Sequence, residues 1–200
     1  IVLVPVLGGV VVGGPHPLSP SDTTVDLTLD PLVTVNVRAL DSAARTPIPA
    51  RLQAIAASPL DRPPASFGAR IERGERAVIA FEIDGEASFR LPVGSYRIVG
   101  SRGYEWELDE TTVDLSAGPP VDVELLLTHV VDTTNVLCGD FHIHTNRSPD
   151  APDGATFKIE AAVADGLEVP ARSDHEFVAE FEDTIAALGA SDYAYGVTSL

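Results

Sequence analysis

Hydrophobic and polar residues alternate with a period of two along most of the first 130 positions. Val25, Leu27 and Leu29 alternate with polar neighbours, and Val33, Val35, Val37 and Ala39 then oppose Thr34, Asn36 and Arg38. That period belongs to half-buried strands. It returns in Arg51 to Ala57, Ala77 to Ile83, Ala87 to Leu91, Ser95 to Gly100, Glu105 to Leu108, Thr111 to Leu115 and Val121 to Leu127. Gly85, Pro92-Val93-Gly94, Gly103 and Gly118-Pro119-Pro120 punctuate these runs, as turn residues do. Ser58 to Phe67 is a proline-rich loop, and no helical pattern of useful length precedes Ala155. Many short strands joined by turns predict an antiparallel β-sandwich, with Phe81, Phe89, Tyr96 and Ile98 filling the space between its sheets.

The pattern then changes. Val136 to His144 reads as a strand and Phe157 to Asp165 as a helix with Ile159, Ala162 and Val163 inward and Gly166 at its C′ position. Leu167 to Ala171 returns as a strand. Phe177, Phe181, Ile185 and Leu188 fall at helical spacing with Gly189 past the end, and Tyr193 to Leu200 opens a third strand. Strand, helix, strand, helix, strand predicts a parallel α/β unit. The chain therefore divides into a leading segment and linker over 1–20, a sandwich over 21–130, and an α/β region over 131–200. Prolines and glycines in Gly13 to Pro20 mark the first boundary.

The net charge of −17 opposes nucleic-acid binding, because a phosphate backbone needs a basic surface. Cys138 is the one cysteine, so no internal disulfide forms, and a buried packing role is expected for it. Ile1 to Val12 is apolar but too short to span a bilayer, and it lacks the flanks of a signal peptide. No membrane contact is evident, and a secreted or periplasmic location is expected over a cytoplasmic one. The chain holds no methionine, which suggests a piece of a longer protein.

Candidate chemistry concentrates in Gly139-Asp140-Phe141-His142-Ile143-His144-Thr145-Asn146-Arg147-Ser148-Pro149-Asp150. On a strand, Asp140, His142 and His144 share one face while Leu137, Phe141 and Ile143 share the other. Imidazoles at i and i+2 can converge on one ion. A lone His-x-His is more often coincidence, but Ser173-Asp174-His175 ends the next strand and would reach the same sheet edge. Glu160, Glu168, Glu176, Glu180, Glu182 and Asp183 read as solvated faces, His16 as a linker residue, and His129 as a junction residue packing two domains. Tyr96, Tyr104 and Trp106 offer a stacking platform for a sugar, although a lone tryptophan in a sandwich is more often core. No serine-hydrolase triad pattern or glycine-rich nucleotide loop occurs.

The motifs Asp140-Phe141-His142-Ile143-His144-Thr145, Ser148-x-Asp150, Asp165-Gly166-Leu167 and Ser173-Asp174-His175 resemble the opening of a PHP-domain (polymerase and histidinol phosphatase) metallohydrolase of the carbaryl hydrolase-like branch. The resemblance covers the last third of the chain. It implies the first β/α units of a distorted (β/α)7 barrel and two or three divalent ions (zinc, manganese or iron) in the complete domain. His142 and His144 would hold one ion, and His175 with Asp150 another. Asp140 would orient an imidazole, Asp174 would do the same or ligate directly, and metal-activated water would cleave a phosphoester or other small-molecule ester. Ser173 departs from the usual threonine. The family's bridging Glu, later histidines and Asp-x-His are absent before Leu200, so the chain reads as a fragment that is inactive alone. Asp84 to Arg97 similarly resembles a carboxypeptidase regulatory-like or prealbumin-like module over residues 32 to 128. The alternative to a hydrolase is a non-catalytic sandwich that binds a glycan or a protein, joined to a vestigial barrel.

Overall fold

A computed structural model describes residues 2–7, 10–58 and 76–198. Most of the proline-rich stretch Ser58 to Phe67 lies outside the described residues, as does Leu200. Two small antiparallel ribbons lead: β1 (Val2–Leu3) pairs with β4 (His16–Pro17), and β2 (Val6–Leu7) with β3 (Val10–Val11). Val25, Leu27 and Leu29 form no strand, and Leu27 and Leu29 are exposed. Alternation there is real, but among the described residues no neighbouring strand supplies the ladder that would satisfy its backbone.

The sandwich runs from β5 (Leu32–Asp41) and β6 (Ala50–Ala56) through β7 (Arg76–Glu82), β8 (Glu86–Pro92) and β9 (Gly94–Ser101). It closes with β10 (Trp106–Glu107), β11 (Asp109–Leu115) and β12 (Val121–His129). Two four-stranded sheets, β10-β12-β5-β8 and β11-β9-β6-β7, face each other. Val33, Val35, Val37 and Ala39 from one sheet and Ala50, Leu52, Ala54 and Ala56 from the other are buried between them, with Phe89, Tyr96, Ile98, Leu125 and Leu127. Period two thus becomes one core layer. One pairing departs from the antiparallel expectation, since β12 lies parallel to β5, from Val121 opposite Val35 to Leu127 opposite Asp41. These strands are far apart in sequence, so no tight hairpin forces them antiparallel.

Phe81 is not in that core. It points from the outer side of its sheet onto Phe157, ring centroids 5.7 Å apart and perpendicular. Phe157 belongs to α1 (Ala155–Ala164), which packs across β6 and β7 and shields them from solvent. Gly166, at φ +79, ends this helix as expected. Arg102 joins the layers: Nη1 donates to the carbonyls of Pro49 and Val163, both at 2.9 Å.

On the far side of α1 lies a parallel sheet of β13 (Gly139–Ile143), β14 (Val169–Arg172) and β15 (Val197–Thr198). A short helix, α2 (Glu182–Ala187), packs with α1 through Ile159, Val163, Phe181 and Ile185. The expected helix from Phe177 begins late. Glu176 takes φ +63 and Phe177 is 48% exposed, so Phe177 stands outside the core. The α/β region is a three-stranded unit, and among the described residues no (β/α)7 barrel closes.

Candidate metal site

Three chain segments meet at the C-terminal ends of β13 and β14. The first delivers His142 and His144, the loop 145–154 delivers Asp150, and the turn after β14 delivers His175. His144 Nδ1 lies 3.0 and 3.1 Å from the two carboxylate oxygens of Asp150. His175 Nε2 lies 3.2 Å from Asp150 Oδ2. One ligand atom each from His144, Asp150 and His175 falls within 4.8 Å of the others. His142 stands beside them, its Nε2 3.0 Å from His144 Nε2. Two imidazole nitrogens meet at that distance only if one carries a proton. The consistent tautomer has His142 Nε2–H donating to His144, whose Nδ1–H donates to Asp150. That bond to His144 leads the causes that hold the Asp150 carboxyl below its ordinary range.

This grouping differs from the expected one. Asp150 bridges His144 and His175, whereas His142 and His144 were expected to form one site and His175 with Asp150 another. Two imidazoles and a carboxylate are a donor set that suits zinc, manganese or iron, and His142 can contribute a further nitrogen. Asp140 meets His142 through the backbone: its Oδ1 accepts the His142 amide at 2.9 Å.

Asp174 is turned away from the cluster. Its enclosed carboxylate accepts from the Thr145 amide at 2.6 Å and the Thr145 hydroxyl at 2.7 Å. It also accepts from the Ser148 hydroxyl at 3.0 Å and from Arg172 Nε at 2.6 Å. Burial alone would raise the Asp174 pKa; the bonds from Thr145, Arg172 and Ser148 outweigh it and hold the carboxyl well below the usual range. Thr145 and Arg172 carried no role in the sequence reading. The available signal was a charged residue closing an otherwise apolar strand, two positions before Asp174.

Other expected placements change too. Tyr96 is buried in the sandwich and Tyr104 is fully exposed, so the aromatic platform does not assemble. His129 packs on Trp106, rings 4.9 Å apart, and faces Glu105 at 3.4 Å, within the sandwich rather than across a junction. Cys138 is exposed rather than buried. No helix among the described residues is long and apolar enough to cross a membrane.

No family model matches the chain, and no curated protein matches it. Solved structures similar to part of it include the Bacillus cereus major pilin subunit BcpA in a D312A form, at 14% identity and TM-score 0.36 over 50% of this chain and 31% of that one. The Bacillus anthracis TIE protein follows at 17% identity and TM-score 0.37, over 53% of this chain and 19% of that one. The group B streptococcus pilus 2b backbone protein gives 12% identity and TM-score 0.38 over 61% and 49%. The chain spans less than half the length of each. The PHP-domain assignment, and the metal-dependent hydrolase, phosphoesterase or esterase expected with it, is overturned: no family model matches the chain, and no (β/α)7 barrel closes among the described residues. The carboxypeptidase regulatory-like label falls with it. A β-rich sandwich stands.

Proposed function

We propose that the chain is a non-catalytic binding module, a β-sandwich whose attached α/β unit captures a single divalent cation through His144, Asp150 and His175. The observation that carries this reading is the convergence of those three donors, from three separate segments, within 4.8 Å. His142 is the nearest further donor. A cation at this point would replace the proton that the imidazoles and the carboxylate otherwise share, so binding releases protons and weakens in acid. Of the two partner classes, protein is favoured over glycan, because the buried Tyr96 cannot join a stacking face. A secreted or periplasmic location belongs to the same proposal.

The test is calorimetric titration of zinc and of manganese into the chelator-treated, desalted 200-residue chain. One saturable site is expected, abolished in His144→Ala and His175→Ala and weakened in His142→Ala. No saturable uptake, or uptake indifferent to His144→Ala and His175→Ala, would refute the reading.

A further inference from the structure

We infer that Asp174 and Ser148 form a clip that sets the metal-binding side chains in place before an ion arrives, an inference that rests on the metal reading above. Asp174 precedes His175 and would pass for a ligand by sequence alone. Its geometry assigns it otherwise. Oδ1 takes the Thr145 amide and the Ser148 hydroxyl, while Oδ2 takes the Thr145 hydroxyl and Arg172 Nε. Four donors fill the acceptor sites of a carboxylate, and none is left for an ion. The side chain of Asp174 has no exposed surface.

What those bonds hold is the cradle itself. Thr145 directly follows His144, Ser148 sits two residues before Asp150, and Asp174 directly precedes His175. Ser148 closes the circuit, because its hydroxyl oxygen also accepts the His175 amide at 2.9 Å. Arg172 Nη2 donates to the Thr145 hydroxyl at 3.0 Å, tying the end of β14 to the end of β13. Every segment that brings a metal-binding side chain is thus pinned within two residues of that side chain, by one carboxylate and one hydroxyl. Groups that fix ligands in this way typically change metal affinity by about 10–100-fold when removed. Asp174 and Ser148 are positioning residues.

The experiment titrates cobalt(II) chloride into wild type, Asp174→Asn and Ser148→Ala, with visible d–d absorption reporting ligand geometry and chelator competition reporting affinity. Melting of the ion-free proteins runs alongside. Both variants should bind cobalt about 10–100-fold more weakly, with altered d–d bands. A purely structural role would lower the melting temperature and leave affinity and spectrum of the folded fraction unchanged. Should Asp174→Asn fail to fold, Ser148→Ala, which keeps the Arg172 pair, carries the test. Wild type that takes up no cobalt overturns the metal reading and the clip together. Normal wild-type uptake with an unchanged Ser148→Ala overturns the clip alone.

Discussion

Replacing Arg102 by Met should separate the sandwich from the α/β unit. One guanidinium nitrogen donates to carbonyls on both sides, Pro49 before β6 and Val163 in α1, each at 2.9 Å. The guanidinium also lies 5.4 Å from the Tyr193 ring centroid and 6.0 Å from that of Trp106. Met keeps most of the packing volume and removes the donors. Two hydrogen bonds from a charged group contribute about 3–6 kcal/mol. Against this, burial already depresses the Arg102 pKa, so the guanidinium carries a desolvation cost that Met does not. The net loss expected is about 2–4 kcal/mol: the Val163 carbonyl keeps the Gly166 amide as a donor, while the Pro49 carbonyl loses its Arg102 donor and keeps the loss from falling to zero. For a chain of this length that lowers the melting temperature by about 5–15 °C. Urea unfolding followed by fluorescence of Trp106, the single tryptophan, reports the sandwich; amide exchange over 155–164 reports the helix. In Arg102→Met, exchange in α1 should quicken before the fluorescence transition begins. A loss under about 1 kcal/mol, with α1 exchange unchanged, would show that the two layers adhere by apolar contact alone.

Gly103 takes φ +63 in the turn before β10, and a Cβ there would overlap the carbonyl oxygen of Asp165. Gly103→Ala should therefore cost about 1–3 kcal/mol in the same urea assay, and a neutral result would contradict the close approach of that turn to α1. Phe181→Ala, at a fully buried site, should cost about 3–5 kcal/mol, whereas Phe177→Ser, at an exposed one, should stay within about 0.5 kcal/mol. Equal losses at both positions would restore the longer helix. The Asp174 carboxyl titrates below its unfolded value, so its stabilisation is complete above about pH 5 and is lost progressively as pH falls from there through the folded value. The stability gap between wild type and Asp174→Asn in the ion-free state should accordingly narrow from about pH 5 to about pH 3, and a gap that widens would reverse the assignment.

The sandwich was legible because period two leaves little freedom once a turn is placed at each end. Val33 to Ala39 could only present one apolar face. The same alternation in Val25 to Leu29 misled, since a pattern names a face but not the partner that would cover it. Phe81 shows a second limit. Its sheet has α1 on the outer side, so both faces are apolar and the side chain could serve either. Phe177 keeps helical spacing with Phe181, yet the left-handed Glu176 turns the chain before the helix can start. At the candidate site the histidines were visible as residues, and so was Asp150, but their grouping was not. The path of the loop after β13 decides that Asp150 spans His144 and His175. Asp174 was the hardest position, because a carboxylate beside a histidine suggests a ligand until its four donors are seen. The motifs that suggested a hydrolase describe this local geometry, and they did not extend to a family.

The parallel pairing of β5 with β12 has a mechanical consequence. β5 is the first strand of the sandwich and β12 the last, and they lie side by side pointing the same way over seven paired positions, Val35 to Asp41 against Val121 to Leu127. Tension entering at Leu32 and leaving at His129 would pull these neighbours past each other lengthwise. Their ladder would then bear the load in shear, all bonds together, whereas an antiparallel hairpin opens one bond at a time. We predict a single high-force rupture when the chain is stretched from its ends in a single-molecule experiment; gradual low-force peeling of β12 from β5 would refute it. A sandwich wired in this way suits a tether held under strain.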